Sequence, residues 1–256
     1  MKFAALSSGS CGNCFYIKGR KGSFLIDCGI SFKRVRESLL QLGENYKELK
    51  GIFITHEHTD HIKGIDVLAR NLNLPIFATK GTIKNSFICS DEFLINKIKN
   101  DETFLFCGME ISSFSKSHDA IEPISFKIRD RGKVLSIITD LGVSCKNVSD
   151  VVNESDFLVI ESNHDLKMLE QGPYPYFLKE RIKSEKGHLS NLHSAVCVLE
   201  NGRSKLKNII LSHLSETNNT PKIALDTFSG LIKERVDLKP KISVSWRNIP
   251  TRLFTI

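Results

Sequence analysis

The chain has 256 residues, 41% of them apolar and 25% charged, the balance of an ordinary folded protein with a substantial core. No apolar run approaches the roughly 20 residues that a membrane-crossing helix needs, and the opening Met1-Lys2-Phe3-Ala4-Ala5-Leu6 turns polar too soon for a secretory signal. The formal charge of +7 is unevenly placed: from Lys167 onward fifteen Lys and Arg face eight Asp and Glu, while the earlier residues balance. These features predict a single domain over residues 1–256, located in the cytoplasm and without a membrane partner. The C-terminal basic excess suits either a polyanionic partner or a solubilising surface. Oligomeric state is left open.

In chain order, apolar runs predict strands at Lys2–Leu6, Cys14–Lys18 and Phe24–Ile26, a helix at Ser31–Leu42, a strand at Gly51–Ile54 and a helix at Ile62–Leu72. Strands follow at Met109–Phe114, Ile124–Ile128 and Val134–Ile138, then a helix at Lys146–Glu154 and a strand at Phe157–Ile160. The last third reads as helices at Tyr176–Ser184 and Ser190–Asn201, a strand at Asn208–Leu211, a helix at Pro221–Glu234 and a strand at Ile242–Val244. Alternation of this kind indicates α/β architecture. The seven cysteines are an odd number, mostly within or after apolar stretches, and read as reduced thiols. Cys11-Gly12-Asn13-Cys14 has redox-motif spacing, but a strand and not a helix follows it, so it reads as a loop that carries thiols. Trp246, after an apolar strand, is expected in the core, with base stacking the alternative.

The chain repeats one plan. Phe24-Leu-Ile-Asp27-Cys-Gly29 resembles Leu135-Ser-Ile-Ile-Thr-Asp140-Leu-Gly142, and Lys50-Gly-Ile-Phe-Ile-Thr-His56 resembles Lys207-Asn-Ile-Ile-Leu-Ser-His213. Two similar halves imply two sheets packed face to face with helices outside. Five apolar runs end in Asp27, His56, Asp140, Glu161 and His213, residues of metal-ligand or acid–base type. Strands that finish this way gather their end residues at one edge of a sheet. Between them, Thr55-His56-Glu57-His58-Thr59-Asp60-His61 sets three imidazoles and Asp60 within six residues, directly after a strand. Neutral imidazole suits zinc, manganese and iron, and carboxylate extends the preference to harder ions.

These residues resemble the signature of the metallo-β-lactamase superfamily, in the family's order: Asp27, the H-x-H-x-D-H loop, Ser117-His118-Asp119, Thr139-Asp140 and Ser212-His213. The resemblance implies a four-layer αββα sandwich and two divalent cations, Zn²⁺ or Mn²⁺. His56, His58 and His118 would hold one ion, and Asp60, His61 and His213 the other. Asp140 would bridge them, and Asp27 would support the loop from behind. Two such ions share a water and lower its pKa toward neutrality, with Asp60 also accepting a hydrogen bond from the nucleophile.

Phosphodiesters are the expected substrate among those the superfamily takes. Glu161 and Gly187-His188-Leu189-Ser190 resemble the Glu–His pair of its tRNA 3′-processing members, with His188 as proton donor to the leaving oxygen and Glu161 orienting it. Only 72 residues separate Asp140 from His213, too few for the inserted domain of one group of RNA-cleaving members, and the protruding arm of the tRNA 3′-endonucleases is absent. Leu6-Ser-Ser-Gly-Ser-Cys-Gly-Asn13, Leu25-Ile-Asp-Cys-Gly29, Ile160-Glu-Ser-Asn-His-Asp165, Gly187-His-Leu-Ser-Asn191 and Leu211-Ser-His-Leu-Ser-Glu-Thr-Asn218 resemble the YycJ/WalJ-like group. That resemblance implies a 5′→3′ exonuclease acting on double-stranded DNA in repair, with DNA expected over RNA. His164, Ser8 and Ser10 are candidate substrate contacts, the turn at Ser7–Ser10 being suited to a phosphate; the plainer readings are a surface histidine and a tight turn. The competing functions are hydrolysis of a small ester, lactone or cyclic nucleotide, and, last, a metal-stabilised binding protein without turnover.

Overall fold

The computed structural model describes residues 1–256. The first sheet is built from β1 (Lys2–Ser7), β2 (Cys14–Gly19), β3 (Gly22–Ile26), β4 (Leu49–Phe53), β5 (Ile76–Thr79) and β6 (Ile95–Ile98). Between them lie the helices α1 (Phe32–Gln41), α2 (Thr59–Ile62), α3 (Ile65–Leu72) and α4 (Lys80–Asn85). The second sheet takes β7 (Thr103–Phe106), β8 (Met109–Ser115), β9 (Ile124–Asp130), β10 (Lys133–Ile138), β11 (Phe157–Glu161), β12 (Asn208–Ser212) and β13 (Lys241–Val244). Its helices are α5 (Lys146–Glu154), α6 (Leu166–Gln171), α7 (Tyr176–Lys183), α8 (Asn191–Asn201) and α9 (Pro221–Ile232), and β14 (Phe254–Thr255) returns to the first sheet beside β1. Strand order is β14-β1-β2-β3-β4-β5-β6 in one sheet and β13-β12-β11-β10-β9-β8-β7 in the other. No helix is long and apolar enough to cross a membrane.

Three apolar clusters account for four layers. The one between the sheets contains Phe3, Phe15, Phe24, Phe53, Phe126 and Phe157, all fully buried. Phe53 stacks on Phe77 at 4.6 Å and meets Phe126 edge-on at 5.7 Å, so the aromatic rings knit one sheet to the other. Period-2 alternation explains the other two: Ala4, Leu6, Leu25, Ile52 and Ile54 face α1 and α3, while Ile138, Leu158, Ile160, Ile209 and Leu211 face α5, α8 and α9. The architecture is the expected αββα sandwich.

All ten expected strands are present. The expected helix at Ile62–Leu72 is instead two, α2 and α3, because Gly64 donates its N–H to Cys28 O at 2.8 Å and breaks the ladder there. That break makes α2 a single turn leaving the histidine loop. The strands β5, β6, β7 and β14 are not among the expected ones; they are two to four residues long, and β6, β7 and β14 lie at sheet edges with β5 beside β6. Short edge strands lack the sustained alternation that marks a half-buried one.

Candidate metal centre

β3 and β4 are parallel, as are β10, β11 and β12, so their C-terminal ends meet along one side of the sandwich. Asp27 follows β3, Asp140 comes just after β10, Glu161 ends β11 and His213 follows β12, while His56 stands at the end of the β4 segment. Asp27, Asp140 and His213 have φ of 58°, 55° and 57°. This left-handed conformation costs a residue with a side chain ~1–3 kcal/mol, and clusters of it mark functional edges; Asp and His tolerate it better than most.

Hydrogen-bond partners decide which way each imidazole presents its lone pair. Thr55 Oγ1 donates to Asp27 Oδ2 at 2.8 Å, so it accepts from His56 Nδ1 at 2.9 Å and leaves His56 Nε2 bare. His118 Nδ1 donates to the carbonyl of Gly187 at 3.2 Å and leaves its Nε2 bare likewise. These two nitrogens lie 3.0 and 3.2 Å from His58 Nδ1. Burial keeps His56 well below the usual histidine range, and burial, with Lys116 adding to it, holds His118 down at about 4. Three imidazole nitrogens converging this closely, two of them bare, form a set that could hold a cation.

The second cluster is Asp60, His61, Asp140 and His213, whose ligand atoms lie within 4.8 Å of one another. His61 Nδ1 donates to Asp27 Oδ2 at 2.7 Å and His213 Nδ1 to Glu161 Oε1 at 2.8 Å, aiming both Nε2 atoms inward. Asp140 Oδ2 is 3.1 Å from His61 Nε2, and Asp140 Oδ1 is 3.4 Å from His213 Nε2 and 3.9 Å from His118 Nε2, so one carboxylate borders both clusters. Asp140 Oδ2 and His213 Nε2 are buried with no hydrogen-bond partner. Burial opposes charge on His61, yet Asp140, Asp27 and Asp60 hold it up at about 10. His213 is driven well above its usual range by Asp140, Asp60 and Glu161, against burial. The carboxylates thus demand positive charge at this point, which a dication meets better than protons on its own ligands. Imidazole with carboxylate fits zinc or manganese. The site is one for divalent metal.

The other candidates fall into different places. Glu161 is fully buried, and it holds more than His188: Oε1 accepts from both His188 Nδ1 and His213 Nδ1 at 2.8 Å, and Oε2 accepts from the N–H groups of Leu141 and Leu189 at 2.7 and 3.2 Å. Burial resists its ionisation, but His188 and His213 outweigh that and hold it at about 2. His188 and Ser10 line a cleft of about 190 Å³ with His213, Asp119 and Arg181. Ser8 does not offer itself to a phosphate there. Its Oγ is 2.6 Å from Ser212 Oγ and accepts from His213 N at 2.8 Å, and its N–H donates to Trp246 O, so it is a strut between loops. His164 is 2% exposed and absent from the cleft wall; it is neither a surface histidine nor placed to touch a substrate there. Glu57 points away and accepts from Ile121 N at 2.7 Å. All seven cysteines are free, and Cys11-Gly12-Asn13-Cys14 is a loop leading into β2.

Four supporting groups were not foreseen. Asn13 Nδ2 lies 3.1 Å from Asp60 Oδ2 and 3.0 Å from His61 Nε2. Thr55 relays Asp27 to His56. Lys116 is buried and donates to Thr139 O at 2.5 Å, directly before Asp140. Asp119, ion-paired with Arg181 on α7, puts Oδ1 at 3.3 Å from His118 Nε2. Asn13, Thr55 and Asp119 had a usable signal, since each lies within a segment already singled out. Lys116 stands next to such a segment, and only Asp119's partner Arg181 had no signal.

Comparison with known proteins gives the family and the fold. The model of the beta-lactamase superfamily domain matches residues 23–213. The chain is 35% identical over 243 residues to the exodeoxyribonuclease YycJ of Bacillus anthracis, covering 92% of this chain and 90% of that protein. It is 35% identical over 228 residues to the exodeoxyribonuclease WalJ of Streptococcus pneumoniae, covering 87% and 85%. Among solved structures, the metallo-beta-lactamase fold protein YhfI from Bacillus subtilis superposes with a TM-score of 0.73 over 98% of both chains at 14% identity, which speaks for the fold alone. The chain belongs to the beta-lactamase superfamily, and within it to the family of the YycJ and WalJ proteins.

Proposed function

We propose that this protein is a metal-dependent phosphodiesterase that degrades DNA from its 5′ end, in preference to RNA. His56, His58 and His118 would hold one divalent cation and Asp60, His61 and His213 a second, with Asp140 bordering both sets and Asp27 bracing from behind. Zinc and manganese are the ions the donors suit. Ions bound there would polarise the phosphoryl group and supply a water of lowered pKa. Asp60 would accept a hydrogen bond from that water. The names of relatives matched over nearly their whole length support the substrate class. The reading includes action as one domain over residues 1–256, in the cytoplasm and in DNA repair.

The observation that carries the reaction type is the position of His188 beside both clusters. Its ring centroid is 5.3 Å from that of His118 and 5.2 Å from that of His213, and Glu161 fixes its Nδ1. Nε2 is then the atom that faces the cleft, where it gives a proton to the departing oxygen as the P–O bond breaks. An alkoxide leaves poorly without that proton, so a phosphodiesterase needs such a group. The test is digestion of 5′- and 3′-labelled single- and double-stranded DNA and RNA with Mn²⁺, Zn²⁺ and Mg²⁺ compared. Stepwise loss from the 5′ end of DNA is expected. Turnover confined to small esters or lactones, with every nucleic acid left intact, overturns the reading.

A further inference from the structure

Trp246 is the chain's only tryptophan. It stands just past β13 and is 50% exposed, contrary to the core position its apolar neighbours predict. Ile249, three residues on, is 59% exposed. With Ser8, Ser215, Asn219 and Asn248, the two line a cleft of about 380 Å³. Ser215 also lines the cleft that holds His188 and His213, so the two depressions adjoin.

The tryptophan is fixed relative to the metal centre. Ser8 donates its N–H to Trp246 O at 3.1 Å, and the same residue's Oγ accepts from His213 N at 2.8 Å. The next residue, Arg247, donates to Leu214 O at 2.7 Å, and its own carbonyl accepts from Ser7 Oγ at 2.6 Å and Arg34 Nη2 at 2.8 Å. The acid in the lining, Glu216, pairs with Arg247 at 3.3 Å. The Asn248 side chain makes no hydrogen bond within the protein. A flat aromatic face, half in water on a backbone anchored to the site, next to a free amide, suits a ligand that is itself flat, with donors and acceptors on its rim.

We propose that Trp246 stacks on an unpaired nucleobase of the nucleotide adjoining the phosphodiester at the metal centre, with Asn248 within reach of the base edge. This rests on the nuclease reading and adds a subsite to it. Stacking tolerates every base, because each has a π-face. The subsite therefore fixes the position of the strand without reading its sequence.

A single tryptophan makes the test direct, since all indole emission comes from this position. The metal-loaded enzyme is titrated with a phosphorothioate thymidine hexamer, which resists cleavage, and with an abasic hexamer of equal length. Saturable quenching by the first and none by the second is expected. Trp246→Ala should raise KM for single-stranded DNA roughly 5- to 150-fold, the range equivalent to loss of one stack. It should leave metal content, and KM for an abasic strand, unchanged, and Trp246→Phe should restore most of the loss. DNA cleavage with unaltered emission and an unaltered KM in Trp246→Ala overturns the subsite while the nuclease reading stands. Equal damage on normal and abasic strands assigns Trp246 a structural role and also overturns it. Absence of any nucleic-acid binding or cleavage overturns both.

Discussion

In the N-terminal half, β3 runs into Asp27-Cys28-Gly29 and lies directly beside β4, which leads to His56. In the C-terminal half, β10 runs into Asp140-Leu141-Gly142, but β11 stands between it and β12, which leads to His213. Asp27 commits both oxygens to protein donors: Oδ1 to Thr55 N at 2.8 Å, and Oδ2 to Thr55 Oγ1 at 2.8 Å and His61 Nδ1 at 2.7 Å. Beside His213 that supporting seat is taken by Glu161, from the inserted strand. Asp140 is thereby left with an unpartnered oxygen facing the histidines. The same strand-to-Asp-x-Gly plan yields a buried brace in one half and a carboxylate left open toward the histidines in the other, where one strand intervenes.

The largest effect should come from the half where the carboxylate is open. Asp140→Ala is expected to abolish DNA cleavage and remove bound metal, as read by elemental analysis of the purified variant. Full metal content with ordinary turnover would place Asp140 in the bracing class with Asp27. Next is His188→Ala, which should lower kcat on DNA by ~10²–10⁴-fold with metal retained. A nitrophenyl phosphodiester, whose leaving group departs without a proton, should be far less affected. Equal losses on both substrates would remove His188 from proton transfer.

The two braces can be compared directly. Asp27→Asn and Glu161→Gln should each weaken metal binding by ~10–100-fold, because each removes the negative charge behind the Nδ1–H of a histidine and turns one acceptor oxygen into a donor. Only Glu161→Gln should also widen the gap between DNA and the nitrophenyl ester, since it alone holds His188. The same discrimination from Asp27→Asn would break the division of labour. The smallest effect concerns the glycines of the repeat. A Cβ on Gly29 would lie 1.6 Å from Asp60 O, and one on Gly142 would lie 2.0 Å from Glu185 O. Both loops carry site residues across these glycines. Gly29→Ala and Gly142→Ala should each cost ~1–3 kcal/mol in denaturant unfolding; no loss in one of them would show that its loop yields.

Much of the site was legible because ligand chemistry is written in side-chain identity. Three imidazoles and Asp60 after an apolar strand announce a metal loop whatever surrounds it, and the recurring Asp-x-Gly and Ile-x-x-x-His segments give the two-sheet plan. The gathered residues also follow from parallel strands having their ends at one edge. Ser8 and His164 were less legible. A serine in a Gly/Ser turn looks alike whether its hydroxyl meets a phosphate or, as here, accepts from His213 N across 205 positions of sequence. His164 reads as a polar residue at a helix start, and only the fold, which bridges it to Ser190, shows that it is enclosed.

Local pattern by itself determined the element types, the order of the histidines and carboxylates, and the stacking of two sheets, because side-chain periodicity and ligand preference are properties of short segments. Tertiary structure decided which nitrogen of each imidazole is bare, which carboxylate braces and which is left open, and that Trp246 stands half in water. Those depend on partners such as Thr55 with Asp27, Gly187 with His118 and Ser8 with Trp246, far apart in the chain and joined only when the sheets close. A hydrogen bond between distant residues leaves no periodic trace in either segment, so only the fold reveals it.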